Sequence, residues 1–282
     1  MRAQYNHDVI TSFVLWLDNQ LCGTGQAFIN TTGLLYRGAV TGIPGHVYAS
    51  PYRAWVWDNC TDAIVPTGFY NSSGQFLTAA SGINIDYLNG RVTTPHNWGP
   101  TLSGAYARKE INVYPSTTEE SNYILEKLYN GNQNIKYPLT GLYGSEYVAP
   151  LIMVTNARGM NEPWALGGMD KSVNIIRCFA ITSNNYLQEG VNSIIQDAAH
   201  SYIPLAPISA APLTNVSMTA TGTLKTPGWS YCNDIKNTYG CANGLYIDGT
   251  YSFKIGERSN MNPDFLISIC DLDLSKPRMP RG

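Results

Sequence analysis

Four histidines, His7, His46, His96 and His200, are the residues best suited to acid–base or metal chemistry, and their spacing favours neither. No two stand four apart, as a helical metal pair requires. A nucleophile elbow of the form Gly-x-Ser-x-Gly is missing, since Gly228-Trp-Ser-Tyr-Cys232 lacks the closing glycine. His200 falls at the expected end of a helix, where a cation complements the dipole. Two carboxylate pairs are close in sequence. Glu119-Glu120 suits a helix start, and Asp271-x-Asp273 alternates along an expected strand, which places both acids on its solvent face. Gly23-Thr-Gly25 follows its helix, whereas a phosphate cradle must precede one. No catalytic, metal-ligating or cofactor-binding residue is assigned, and the chain reads as a non-enzyme.

The six cysteines, at positions 22, 60, 178, 232, 241 and 270, contain no Cys-x-x-Cys pair. Neither a zinc ribbon nor a thioredoxin-type site is therefore supported. Cys178 and Cys270 lie in apolar runs and read as small buried hydrophobes. Cys232 and Cys241 flank a loop and could pair in an oxidising medium, while a cytosol would keep them reduced.

Composition narrows the function classes. Apolar residues make up 44% of the 282, enough for a substantial core, but charged residues only 13%, about half the usual share. With a net charge of -2, the chain has no basic face to displace counterions from phosphates, which excludes a general nucleic-acid binder. So weakly charged a surface suits a protein that ends up against other subunits. Nineteen Tyr against seven Phe points the same way, because amphipathic rings favour half-exposed contacts or sugar platforms. The N-terminus shows no signal-peptide pattern, and no window is apolar for long enough to span a membrane.

The elements that must position any site are legible as periodicities. Asn6 to Leu21 predicts an amphipathic helix capped by Asn6, with Val9, Ile10, Phe13, Val14, Leu17 and Leu21 on one face. From Gln26 to Ala105, short strand-like runs (27–29, 34–37, 46–48, 53–57) alternate with turns. Hairpins are expected at Asn71-Ser-Ser-Gly74 and at Asn89-Gly90. Tyr106 to Val113 reads as one strand, and Ser116-Thr-Thr-Glu119 as a capping box opening a helix through Tyr123, Ile124, Leu125 and Leu128. Ala149–Thr155 and Val173–Ile181 read as buried strands joined by a loop, Asn156 to Gly168. A helix capped by Ser183 or Asn184 follows, with Leu187, Val191, Ile194, Ile195, Ala198 and Tyr202 on its face. Strands are expected at 218–224, 244–247, 250–255 and 264–274, with a hairpin turn at Asp248-Gly249. The fold class is α+β and β-rich: an α/β core with docked helices plus an inserted all-β domain. The expected division is residues 1–22 as the core's N-terminal helix, 23–104 as the insertion, and 105–282 as the core with a short basic tail.

Two stretches carry a resemblance. Residues 149–205, with their strand, loop, strand and helix, resemble small tail-terminator (tail-completion) proteins of tailed bacteriophages. Residues 1–21 and 66–94 are similar to virion structural proteins of marine phages. The resemblance implies a tail-terminator-like core whose second strand belongs to a ring-forming sheet, with the following helix packed behind it. It also implies a homo-oligomeric ring, hexameric by expectation, in the neck or tail of the particle. That ring is assembled in the host cytoplasm against neighbouring neck and tail proteins, and residues 23–104 decorate its exterior. The chain is longer than the small terminators, so connector, stopper, terminator and baseplate positions stay open.

On this reading the loop 156–169, with Trp164, Gly167 and Gly168, contacts a neighbouring subunit, as do Arg177 and Phe179 on the second strand. Arg278 and Arg281 lie in a basic tail that reaches solvent, a neighbouring subunit or passing genome DNA. Two other classes compete. A carbohydrate- or receptor-binding module would show an aromatic groove with Asn and Asp nearby. A hydrolase would show a deep pocket joining His46 or His96 to a carboxylate.

Overall fold

The first amphipathic segment forms helix α1, Tyr5–Cys22, in a computed structural model that describes residues 5–38, 45–116, 129–130, 147–148, 150–165, 169–213, 222–240, 244–255 and 266–278. Val9, Phe13, Leu17 and Leu21 are buried as the periodicity predicts, but so are Ser12, Leu15, Trp16 and Asp18. The helix is therefore wedged between layers instead of lying on one. Its polar groups are satisfied accordingly: Ser12 Oγ donates to Ala206 O at 3.2 Å and accepts from Ala206 N at 2.9 Å. Asn6 stands inside the first turn, not at the cap, and accepts from Asn174 Nδ2. No helix of the described residues is long and apolar enough to cross a membrane.

The next seven strands form one antiparallel sheet: β1 (Phe28–Gly38), β2 (His46–Ala49), β3 (Gly68–Tyr70), β4 (Phe76–Thr78), β5 (Asn84–Asp86), β6 (Arg91–Thr94) and β7 (Thr101–Lys109). Their order is β4-β3-β7-β1-β2-β6-β5. Both expected hairpins form, although the second closes over four residues, with Asp86 opposite Arg91. The runs 27–29 and 34–37 merge into the single strand β1. Residues 53–57 make no strand, because Ala54 adopts a left-handed φ of 56° that breaks the extended run. Only Trp55 there bridges Arg108.

The expected strand 106–113 divides. Its first part ends β7; Glu110 N then donates to Ala27 O, and β8 (Asn112–Pro115) begins the second sheet. The predicted helix to Leu128 lies outside the described residues beyond Ser116. β9 (Tyr129–Asn130) and β10 (Tyr147–Val148) form a short parallel pair. The second sheet has the order β13-β14-β15-β12-β11-β8, with β11 (Leu151–Ala165), β12 (Met169–Thr182), β13 (Tyr202–Ile203), β14 (Leu245–Ile255) and β15 (Leu266–Arg278). β8 and β11 run parallel and the other pairings are antiparallel.

Two expectations about turns are corrected here. Residues 156–165 continue β11, where a loop is predicted. Pro163 is tolerated because β8 pairs only with Leu151–Val154, so the rest of β11 is an edge among the described strands. Likewise Asp248-Gly249 does not turn the chain. β15 pairs on both sides of it, at Ile247–Leu274 and Gly249–Asp273, so the extra residue is absorbed as a bulge. Of the strand expected at 218–224, residues 218–221 are outside the described set.

β12 feeds helix α2, Asn185–Asp197, whose cap is Asn184, accepting from Leu187 N at 2.9 Å. Its buried face is Gln188, Val191, Asn192 and Ile195. Tyr202 leaves the expected face and is exposed in β13. Asn192 Oδ1 accepts from Ser268 Oγ and Cys270 Sγ, which accounts for that buried amide. One apolar core runs through both sheets and both helices, from Val9 and Phe13 through Trp55 and Tyr106 to Cys178, Ile195 and Leu272. The fold is α+β and β-rich.

The cysteine expectation is also corrected. Cys232 pairs with Cys60, their Cα atoms 5.7 Å apart, while Cys241 lies outside the described residues. Cys178 and Cys270 are buried directly opposite each other on β12 and β15.

Candidate subunit interface

Alternation along β1 turns Leu35 into the core and Leu34 and Tyr36 outward. Register then builds a row from four separate segments. Phe76 faces Tyr70, Tyr70 faces Ser103, and Ser103 faces Leu34; Tyr36 follows two residues on, opposite Thr101. The rings of Tyr70 and Phe76 are 4.8 Å apart. Leu34, Tyr36, Tyr70 and Phe76 keep 45%, 54%, 48% and 44% of their surface exposed, and nothing in the row is charged.

The reverse face makes this platform stiff. Leu35 and Leu102 are paired and buried, as are Phe69 and Leu77. Trp55 stacks on Tyr106 at 4.6 Å and tilts against Phe69 at 5.6 Å. Gly104 is bare for a reason, since a Cβ there would stand 2.6 Å from the Phe69 ring. Where the platform meets α1, Lys109 Nζ bonds both oxygens of Asp18 at 2.6 and 2.7 Å and lies 3.1 Å from the Trp57 ring centroid. Burial raises the Asp18 carboxyl above its ordinary value, against the pull of Lys109. Burial also pushes the nearby Cys22 thiol up to about 12, so it stays a neutral core group.

The residues expected at an interface fall elsewhere. Trp164 is near the end of β11, and Arg278 ends β15 opposite Asp170. Gly167, Gly168 and Arg281 lie outside the described residues. Arg177 is engaged within the subunit: it faces Asp271 across β12 and β15 and bonds it through Nε at 2.7 Å and Nη2 at 2.8 Å. Phe179, only 1% exposed, belongs to the subunit's own interior. Of the expected residues, the two with described side chains, Arg177 and Phe179, are thus engaged within the subunit, and the exposed row on the first sheet was not singled out in the sequence. Abundant tyrosine was its only advance sign, because its members are joined by register alone.

Among the described residues, the four histidines do not gather with the carboxylates into one site. Asp271 and Asp273 do lie on the face away from the buried Leu272 and Leu274. Burial raises the Asp273 carboxyl, Asp248 and Asp271 add to the rise, and Lys171 opposes it. Glu119 and Glu120 are outside the described residues. His96 meets Trp98 edge-on, and His200 lies beyond the end of α2, where Nδ1 is 2.9 Å from the Tyr246 hydroxyl. Among the described residues, no three of His, Cys, Asp or Glu gather as a metal site. Two cavities lie among them, one beside β11 and β12 at Asn6 and Asn161, the other between α1 and α2; no histidine lines either. In comparisons with known proteins, no family model and no curated sequence matches the chain.

Proposed function

We propose that the chain is a structural virion protein of a tailed bacteriophage, forming a homo-oligomeric ring in the neck or at the tail end, with β11, β12 and α2 as its terminator-like module. The observation that carries the assembly part is the uncharged row Phe76–Tyr70–Leu34–Tyr36 on the outer face of the first sheet. A contiguous uncharged patch of this size is often functional, and a second copy meets it without any like-charge cost. Four large side chains at about half exposure offer roughly 400 Å². A stable pairwise contact needs roughly 800 Å² from each partner, so the row favours an assembly in which each subunit makes several contacts. Ring closure supplies that, because every copy is then held on two sides. Among the described strands, the edge of β11 beyond Val154 has no neighbour and offers backbone donors and acceptors for a further contact.

The test is mass photometry with negative-stain microscopy of the purified chain and of the Tyr70→Ser, Phe76→Ser double variant. Wild type is expected to form rings and the variant to fall to monomers with unchanged circular dichroism. A wild-type chain that stays monomeric into the high-micromolar range, or a variant that assembles equally well, would overturn the proposal.

A further inference from the structure

The end of α1, the end of α2 and a short helical turn at Tyr231–Asn237 enclose a cleft of about 410 Å³, within the range of small-molecule sites. Three independent features single it out. The turn at Tyr231–Asn237 is a π-helix, a rare form that is concentrated at functional sites. His200, which precedes the wall residues Ser201 and Tyr202, holds a left-handed φ of 65°, a strain that persists only where its surroundings enforce it. The walls are also fastened to each other. Asp58 accepts from Asn19 Nδ2 of α1 at 2.8 Å and from Tyr231 N at 2.9 Å, while Cys232 is tied to Cys60.

The lining selects a ligand class. Trp16 and Tyr231 contribute buried apolar surface, and Tyr202, 53% exposed, presents a ring at the mouth. That ring is braced by Tyr246, 5.0 Å away, which His200 holds in turn. Gln20, Asp197 and Lys236 supply acceptors and donors, and neither of the two charged groups is in an ion pair among the described residues. Their charges cancel, so an anion meets Asp197 and a cation meets Lys236 at a cost. A neutral ligand whose hydroxyls both donate and accept satisfies all three, and its C–H face can lie on Tyr202. We infer that this cleft binds a neutral saccharide unit, with Tyr202 as stacking platform and Asp197, Lys236 and Gln20 as hydroxyl partners.

A glycan array carrying neutral, acidic and amino sugars, followed by saturation-transfer NMR on each hit, tests this with the intact chain. Neutral sugars are expected to bind, with affinity reduced about tenfold by Tyr202→Ala and similarly by Asp197→Asn. The Tyr70→Ser, Phe76→Ser variant should retain that binding, which separates this site from the assembly row. Absence of any hit with folded protein, hits confined to charged sugars, or equal binding by Tyr202→Ala would each overturn the inference.

Discussion

At the scale of single residues, the most consequential group for stability is one with no visible motif. Lys109 closes an ordinary strand and Asp18 lies on what the sequence presents as the polar side of a helix. Nothing in their spacing, 91 residues apart, announces a pair. Only the wedging of α1 between layers brings them together, with the Lys109 side chain wholly buried. Removing one partner of such a pair leaves the other charge stranded in the interior. Lys109→Met is therefore expected to lower unfolding free energy by about 3–5 kcal/mol, measured by urea denaturation at neutral pH. Adding Asp18→Leu should restore most of it, because an apolar pair of similar volume needs no compensation. A single variant costing under about 1 kcal/mol would show that solvent reaches the pair.

At the scale of elements, sequence signals succeeded where the cause is local and failed where it is a neighbouring strand. Asn89-Gly90 and Asp248-Gly249 carry nearly the same turn signal, yet only the first turns the chain. Asp86 fixes that connection by accepting from Asn89 N, Asn89 Nδ2, Arg91 Nε and Gly222 N. Asp248-Gly249 is overruled by β15, which pairs on either side of it. Pro163 likewise misleads, since an edge position makes it harmless. The outward row on β1, β3, β4 and β7 was illegible for the same reason. Gly90 gives a sharp test of the turn. It has a φ of +60°, and a Cβ would stand 2.0 Å from Tyr52 O, a backbone atom that cannot step aside. Gly90→Ala should cost more than about 2 kcal/mol. Gly74→Ala, at a φ of +81° with nothing near its Cβ, should cost only about 1 kcal/mol. Thermal denaturation of both variants checks this, and equal shifts would mean that the hairpin relaxes freely.

At the scale of the molecule, the two sheets are joined through a common core, and the Cys60–Cys232 bond fastens the segment after Trp57 to the turn behind α1. Sequence reasoning could rank Cys232 with its neighbour Cys241 but not with a partner 172 residues away, because fold alone brings Cys60 to it. A cross-link over a loop that long removes much of the unfolded chain's freedom, worth about 5 kcal/mol in the chain-entropy account. At roughly 2–4 °C per kcal/mol for a large domain, opening it should lower Tm by about 10–20 °C. Cys60→Ser and the double variant with Cys232→Ser should show the same loss, and mild reductant should bring wild type down to them. The unfolding trace should also stay a single transition, since Trp55, Phe13 and Ile195 belong to one apolar cluster and no sheet can lose its packing alone. Calorimetry decides both points. An unchanged Tm would mean that the bond is not formed in solution, whereas two resolved transitions, only one of them sensitive to reductant, would mean that the shared core does not couple the sheets.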